Sequence, residues 1–280
     1  MKITYDIHTV APYINWAYFF FAWNMHNKPE EEKAKLRQEA ETLLDRLDAS
    51  YHTYALFEIF DAYSEGDDVV VTGVRSQESG DSRIPFLRQQ QGEPPYLCLS
   101  DFLRPQNISS STLHLPPSTN KLGLFATSVD IGLETDFDAD PYQKMLVQLL
   151  ADRLAEATAE RMHEEVRKHY WGYAKDECLS IPEMQQEHFQ GIRPAVGYPS
   201  LPDTSLNFIL DRRLDFRQIG IRLTESGAMK PHASVSGLMF SHPQARYFSI
   251  GKIGEDQLRD YARRCGLPVE VCRRFLAANL

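Results

Sequence analysis

The sequence predicts an α+β fold: a twisted antiparallel β-sheet with flanking helices, including one long helix. Three observations carry that reading. YALFEIFDAY (Tyr54–Tyr63), a turn at Glu65-Gly66-Asp67 and DDVVVTGV (Asp67–Val74) form a hairpin pattern, which implies antiparallel pairing. An apolar stripe of helical period runs for about thirty residues from Asp140. Strand-like and helix-like segments are interspersed along the chain.

Taken in order, the first helix is expected from Pro29 to Asp48. Pro29 suits a first helical position, and Glu30, Glu31 and Glu32 complement the helix dipole. Leu36, Ala40, Leu43 and Leu47 make one apolar stripe. The hairpin follows. The Ser/Pro-rich stretch from Arg104 to Asn120 reads as a loop, and KLGLFATSV (Lys121–Val129) as a further strand. The long helix opens with Asp140 as N-cap and Pro141 as first residue and holds to about His169, a length of about 45 Å. Ser180 and Glu183 match a capping box that opens a shorter helix, closed by Gly191. A short helix is expected at Ser205–Leu214. ASVSGLMFSH (Ala233–His242) and ARYFSIGKI (Ala245–Ile253) read as paired strands joined around His242-Pro243. Two short helices separated by Gly266 and Pro268 finish the chain. The whole of residues 1–280 is read as a single domain.

Composition narrows the function classes. Hydrophobic residues are 42%, charged residues 25% and the formal net charge is −9, which speaks against a nucleic-acid binder. Cys98, Cys178, Cys265 and Cys272 form no C-x-x-C pair and no zinc-type spacing, so four free thiols are expected. The N-terminus lacks the basic head and apolar run of a signal peptide. The longest apolar stretch falls far short of the ~20 residues that span a bilayer. A soluble cytoplasmic protein with no membrane partner is the expectation.

Three places hold polar and aromatic residues that packing alone does not require. They are the stiff loop GIRPAVGYP (Gly191–Pro199), the aromatic run YINWAYFF (Tyr13–Phe20), and Tyr247-Phe248 on the last expected strand. An arginine fork suits a carboxylate, and aromatic faces suit a flat heterocycle or a sulfonium cation. Such a cavity would accept a zwitterionic, adenine-bearing ligand. Each place alone also fits a plainer reading: strand packing for Tyr247-Phe248, a surface ion pair for Arg193.

The words ADRLAEATAERMHEEVRKHYWGYAKDE, QGIRPAVGYPSLPD, LTESGAM, ASVSG, FSHP, RYF and DQLRDYARR, in that order, resemble the activation domain of cobalamin-dependent methionine synthase. YINWAYFF, GDDVVV, FLRQQ and YLCLSDF extend the resemblance thinly to the N-terminal half. The resemblance implies binding of S-adenosylmethionine (AdoMet) through the signature Arg-x-x-x-Gly-Tyr, which stands here as Arg193, Gly197 and Tyr198. It implies that Arg193 grips the ligand carboxylate and that Ala195 offers backbone groups. Tyr198 would stand between AdoMet and the cobalamin face, with Tyr247 and Phe248 beside the ligand. Glu156 and Glu187 match carboxylates near the site. No acid, base or protein nucleophile is implied, and no metal ligand.

Some positions depart from the pattern. Asn15 stands where the family often has an Asp facing the ligand ammonium; the neutral residue should weaken binding by about 1 kcal/mol, five- to tenfold. Gly227, Lys230 and His232 stand where the family tends to have bulky aromatic residues or Gly, and Leu238–Phe240 replaces aromatic residues too. His232 read as a cobalt ligand competes with the default of a solvated strand-edge histidine. Asp6-Ile7-His8 begins an Asp-x-His-x-x-Gly cobalt-binding word, but Ala11 stands in the glycine position. Cobalamin is therefore expected on a partner, a cobalamin-binding methionine synthase chain, with a flavodoxin-like reductant as a further partner. The resulting expectation is a module that supports reductive methylation of cob(II)alamin in trans. Its rival is a degenerate AdoMet sensor or scaffold of the same fold.

Overall fold

The computed structural model describes residues 1–72, 82–106 and 116–280. The end of the hairpin pattern at Gly73-Val74, and most of the expected loop between Arg104 and Asn120, lie outside the described residues. The centre of the fold is β2 (His52–Glu65), a long strand that serves several neighbours. On one edge it pairs β5 (Lys121–Val129) over Thr53–Asp61. On the other it pairs β1 (Lys2–Asp6) through its first half and β3 (Asp68–Thr72) through its second. β4 (Ser82–Pro85) adds to β3, and β8 (Ser234–Met239) adds to β5. Every pair is antiparallel, and the order is β4-β3-β2-β5-β8. A separate two-stranded ribbon joins β6 (Arg222–Leu223) to β7 (Met229–Lys230).

β5 shows why both faces are covered. Its side chains alternate with period two. Phe125 and Val129 enter one core, while Leu122, Leu124 and Ala126 enter the other. The first core is completed by α2 (Glu30–Leu47), through Leu36, Ala40, Leu43 and Leu47, and by the long helix α3 (Pro141–Glu165). The aromatic helix α1 (Trp16–Ala22) packs here through Phe19. The second core is closed by Leu206, Leu210 and Leu214 of α5 (Leu206–Leu214). A third cluster gathers α6 (Glu255–Cys265) and α7 (Val269–Phe275) against Leu87, Ile250 and Ile253.

The expected caps are present. Asp140 accepts from the backbone of Tyr142 at 2.9 Å and Gln143 at 3.3 Å. Beyond Glu165 the long helix widens into a π-helical turn, Val166–Tyr170. Ser180 and Glu183 form the capping box of α4 (Ile181–Gln185). That helix ends at Gln185, six residues before the expected stop at Gly191, and Glu187 then takes a left-handed φ of 61°. All four cysteines are free.

One expectation fails. Ala245–Ile253 is not a strand. The edge of β8 it would have paired is occupied by Ile192–Val196. Ile192 and Phe240 exchange backbone hydrogen bonds at 3.0 and 2.9 Å, Leu238 N–H donates to Pro194 at 3.0 Å, and Val196 N–H donates to Ser236 at 2.9 Å. The Ala245–Ile253 segment instead meets the loop in single contacts, such as Arg193 N–H to the Tyr247 hydroxyl and Ile250 N–H to the Pro199 carbonyl, both at 2.9 Å.

Candidate functional site

The loop from Gly191 is shaped by its glycines and by its pairing with β8. A Cβ at Gly191 would lie 2.2 Å from the Phe240 carbonyl oxygen, and its φ of 84° is left-handed, so only glycine fits. The hydrogen bonds to β8 flank the Ala195–Gly237 pair without including it. Ala195 is thus in a non-hydrogen-bonded position, and its own N–H and C=O point away from β8. Gly197, with φ of 89°, turns the chain so that Gly197 N–H reaches the Leu201 carbonyl at 2.8 Å. Tyr198 sits at the tip of this turn, 49% exposed.

The long helix supplies two carboxylates one turn apart, Glu156 and Glu160, which therefore share a face. Glu156 accepts from the Tyr198 hydroxyl at 2.5 Å. Glu160 accepts from the Arg193 guanidinium at 2.8 Å. Arg193 is not the surface ion pair of the plainer reading, because its side chain is only 10% exposed. Its backbone N–H donates to the Tyr247 hydroxyl at 2.9 Å, and its guanidinium lies 5.8 Å from the Phe125 ring centre. Burial pushes the Tyr247 phenol up to about 12. It raises the Tyr198 phenol too, helped by the neighbouring Glu156 charge. Glu187 is raised first by burial and then by repulsion from Glu160.

These groups enclose one cavity of about 570 Å³, within the range of small-molecule sites. Of the sequence-expected residues, Asn15, Glu156, Glu187, Arg193, Ala195, Tyr198, Tyr247 and Phe248 line it. Gly197 does not line it and acts through the turn. Tyr247 and Phe248 reach the cavity from an irregular segment and not from a strand. Asn15 is placed by a second duty: its Oδ1 is the N-cap of α1, accepting from Ala17 at 3.1 Å and Tyr18 at 3.5 Å.

Glu160 and Arg153 also line the cavity and were not singled out in the sequence. For Glu160 a signal existed, since it stands four residues after Glu156 on the same helix. Phe189 joins the wall from behind, backed by a fully buried Arg167 whose guanidinium lies 4.3 Å from the ring centre. Among the described residues, the buried Nε atoms of Arg153 and Arg193 and Oε1 of Glu160 have no hydrogen-bond partner. Three carboxylates and two guanidiniums thus surround an aromatic-lined space, so the wall carries charge of both signs.

His8 and His232 stand apart from this cavity. His8 is tied to Asp48 at 2.8 Å and Asp45 at 2.9 Å on the surface. His232 is largely solvated, with Nδ1 3.3 Å from Asp152.

Sheet, long helix and edge-docked loop together form an α+β module with a cavity lined by charges of both signs. The chain belongs to the family described as vitamin B12 dependent methionine synthase, activation domain, whose profile matches residues 6–266. Among solved structures it is similar to the MetH reactivation domain bound to AdoHcy, at 36% identity and a TM-score of 0.88. That match covers 100% of this chain and 90% of the other. No helix among the described residues is long and apolar enough to cross a membrane.

Proposed function

We propose that this chain binds AdoMet in the Arg193 cavity and supports reductive methylation of cob(II)alamin carried by a separate methionine synthase chain. The observation that carries the reading is the buried guanidinium of Arg193, with an unfilled Nε, in a cavity ringed by Glu156, Glu160 and Glu187. The similar MetH reactivation domain holds AdoHcy, and the family is that of the cobalamin-dependent enzyme.

AdoMet, when bound, supplies an electrophilic methyl group on a sulfonium. The residues of this chain bind and orient. Arg193 offers its fork to the carboxylate, worth about 1.5–3 kcal/mol as a charge-assisted hydrogen bond. Ala195 presents backbone groups turned away from β8. Tyr247 and Phe248 offer aromatic faces to the adenosyl part or the sulfonium. The Tyr198–Glu156 hydrogen bond holds the phenol at the exposed mouth, where the methyl group would face a docked partner. Such work is proximity and orientation, and it needs no nucleophile or base from the protein. Cobalamin, carried by the partner chain, would supply the nucleophilic cobalt. A flavodoxin-like protein is the reductant class that fits this scheme.

The test combines this protein, AdoMet, a reductant and a cob(II)alamin-loaded methionine synthase chain, and follows methylcobalamin by absorbance. Methylation should depend on this protein and fail with Arg193→Ala plus Tyr198→Ala. Equal rates without it would leave the sensor or scaffold reading, which the neutral Asn15 and the Lys230 departure motivate.

A further inference from the structure

The ion pair between Arg193 and Glu160 is incomplete in a way that points to a ligand. It is a single contact, Arg193 Nη2 to Glu160 Oε2 at 2.8 Å. Arg193 and Glu160 side chains are 10% and 18% exposed, yet Arg193 Nε and Glu160 Oε1 are both buried without partners among the described residues. A fork and a carboxylate that close can pair through two parallel bonds. Here one donor and one acceptor are left over, and both residues line the cavity. Leaving buried groups unpaired is costly, so a ligand group that reaches either one would stabilise the pair.

What fits is a molecule that brings an anion and a cation on adjacent atoms. The amino-acid end of AdoMet or AdoHcy is such a molecule, with carboxylate and ammonium on one carbon. The carboxylate would complete Arg193, and the ammonium would complete Glu160. A second carboxylate, Glu187, lies close enough for repulsion from Glu160 to raise its proton affinity. A cation between the two relieves that repulsion. Asn15, neutral and with Oδ1 engaged by the α1 backbone, brings no charge to the ammonium.

We propose that Glu160 is a ligand-binding residue that accepts a hydrogen bond from the α-ammonium group, so that Arg193 and Glu160 together read the zwitterion. This rests on the AdoMet reading of the cavity. It assigns to the long helix the charge that position 15 lacks.

The test uses calorimetry with three probes: AdoHcy, its analogue lacking the amino group, and its analogue lacking the carboxylate. Glu160→Gln keeps an oxygen for Arg193 and removes the charge. It should weaken AdoHcy and the decarboxylated analogue by on the order of tenfold. The deaminated analogue should bind the parent and the variant alike. If Glu160 only props Arg193, the pattern inverts: the deaminated analogue weakens and the decarboxylated one is spared. That result, or no change with any probe, overturns the proposal while leaving the AdoMet reading intact. A parent protein that binds no AdoHcy removes both. Should Glu160→Gln not fold, Glu160→Asp withdraws the same charge by one methylene and should weaken the same two probes.

Discussion

At the scale of single residues, the cavity joins side chains of a stiff loop and an aromatic pair to carboxylates on the long helix. Arg193, Tyr198, Tyr247 and Phe248 carry fixed chemistry on a stiff loop and an aromatic pair, and all four line the cavity. Glu160 escaped notice because a glutamate on a polar helix face looks solvated until its partner, 33 residues away, folds over it. Asn15 was read as a ligand contact alone, and the structure adds its capping duty. Asn15→Asp should keep the cap, since Asp is as good an N-cap as Asn. Its second oxygen should tighten AdoMet about five- to tenfold, and more so at low salt. Affinities measured across salt concentrations that match the parent would remove Asn15 from the site. His163 gives a pH dependence. Its Nδ1 faces Arg167 Nη1 at 2.9 Å, and because a guanidinium only donates, Nδ1 must accept and the ring must be neutral. Burial, then the charges of Arg167 and Arg193, hold its pKa well below the usual value. The unfolded chain therefore binds the extra proton first. Stability from this group is complete above about pH 6.5 and is lost as pH falls, by up to about 1.4 kcal/mol per pH unit. Denaturant melts from pH 7 to 5 should show that slope, and His163→Gln should flatten it.

At the scale of elements, patterns with a local cause were readable. The Asp140 cap, the Ser180–Glu183 box, the apolar stripe of α2 and the period-two face of β5 are each set by neighbouring residues. The pairing of Ala245–Ile253 was not, because its alternation matches a strand while the available edge is decided by a different segment. Ile192–Val196 holds that edge of β8 through Gly191 and Gly237, whose missing Cβ atoms allow the close approach. At Gly237 an added Cβ would stand 2.2 Å from the Pro194 carbonyl oxygen. Gly237→Ala should therefore push the loop off β8 and weaken AdoMet by far more than it lowers the melting temperature; equal AdoMet affinity in the variant would contradict this docking. Asp140→Ala offers the opposite case. It should cost about 1 kcal/mol of stability. It leaves AdoMet binding unchanged, since Glu156 lies about 24 Å further along the helix. Denaturant melts beside binding isotherms check both halves.

At the scale of the whole molecule, an extended antiparallel sheet carries a helix long enough to reach from α2 at one end to the loop at the other. The general architecture was readable because hairpins and a thirty-residue periodic helix leave few ways to arrange layers. The site's composition was readable only through the resemblance, since its walls come from segments more than 200 residues apart. The same layout places Tyr198 at an open mouth, so the proposed methyl transfer would take place against a partner and not inside the cavity. A partner that must also meet other reactants has to leave, so the shared interface should be modest, about 1,200 Å² or less, and polar. Sedimentation of the mixed proteins should show reversible association that strengthens when AdoMet is present; tight, AdoMet-independent complexes would argue for a scaffold. Beneath every one of these statements is the claim that the Arg193 cavity holds AdoMet. Titration calorimetry of AdoMet into the parent protein and Arg193→Ala tests it most directly. The account predicts one site per chain, with affinity lower by about 1.5–3 kcal/mol in the variant. No heat of binding at millimolar AdoMet, or equal affinity in the two proteins, would contradict it.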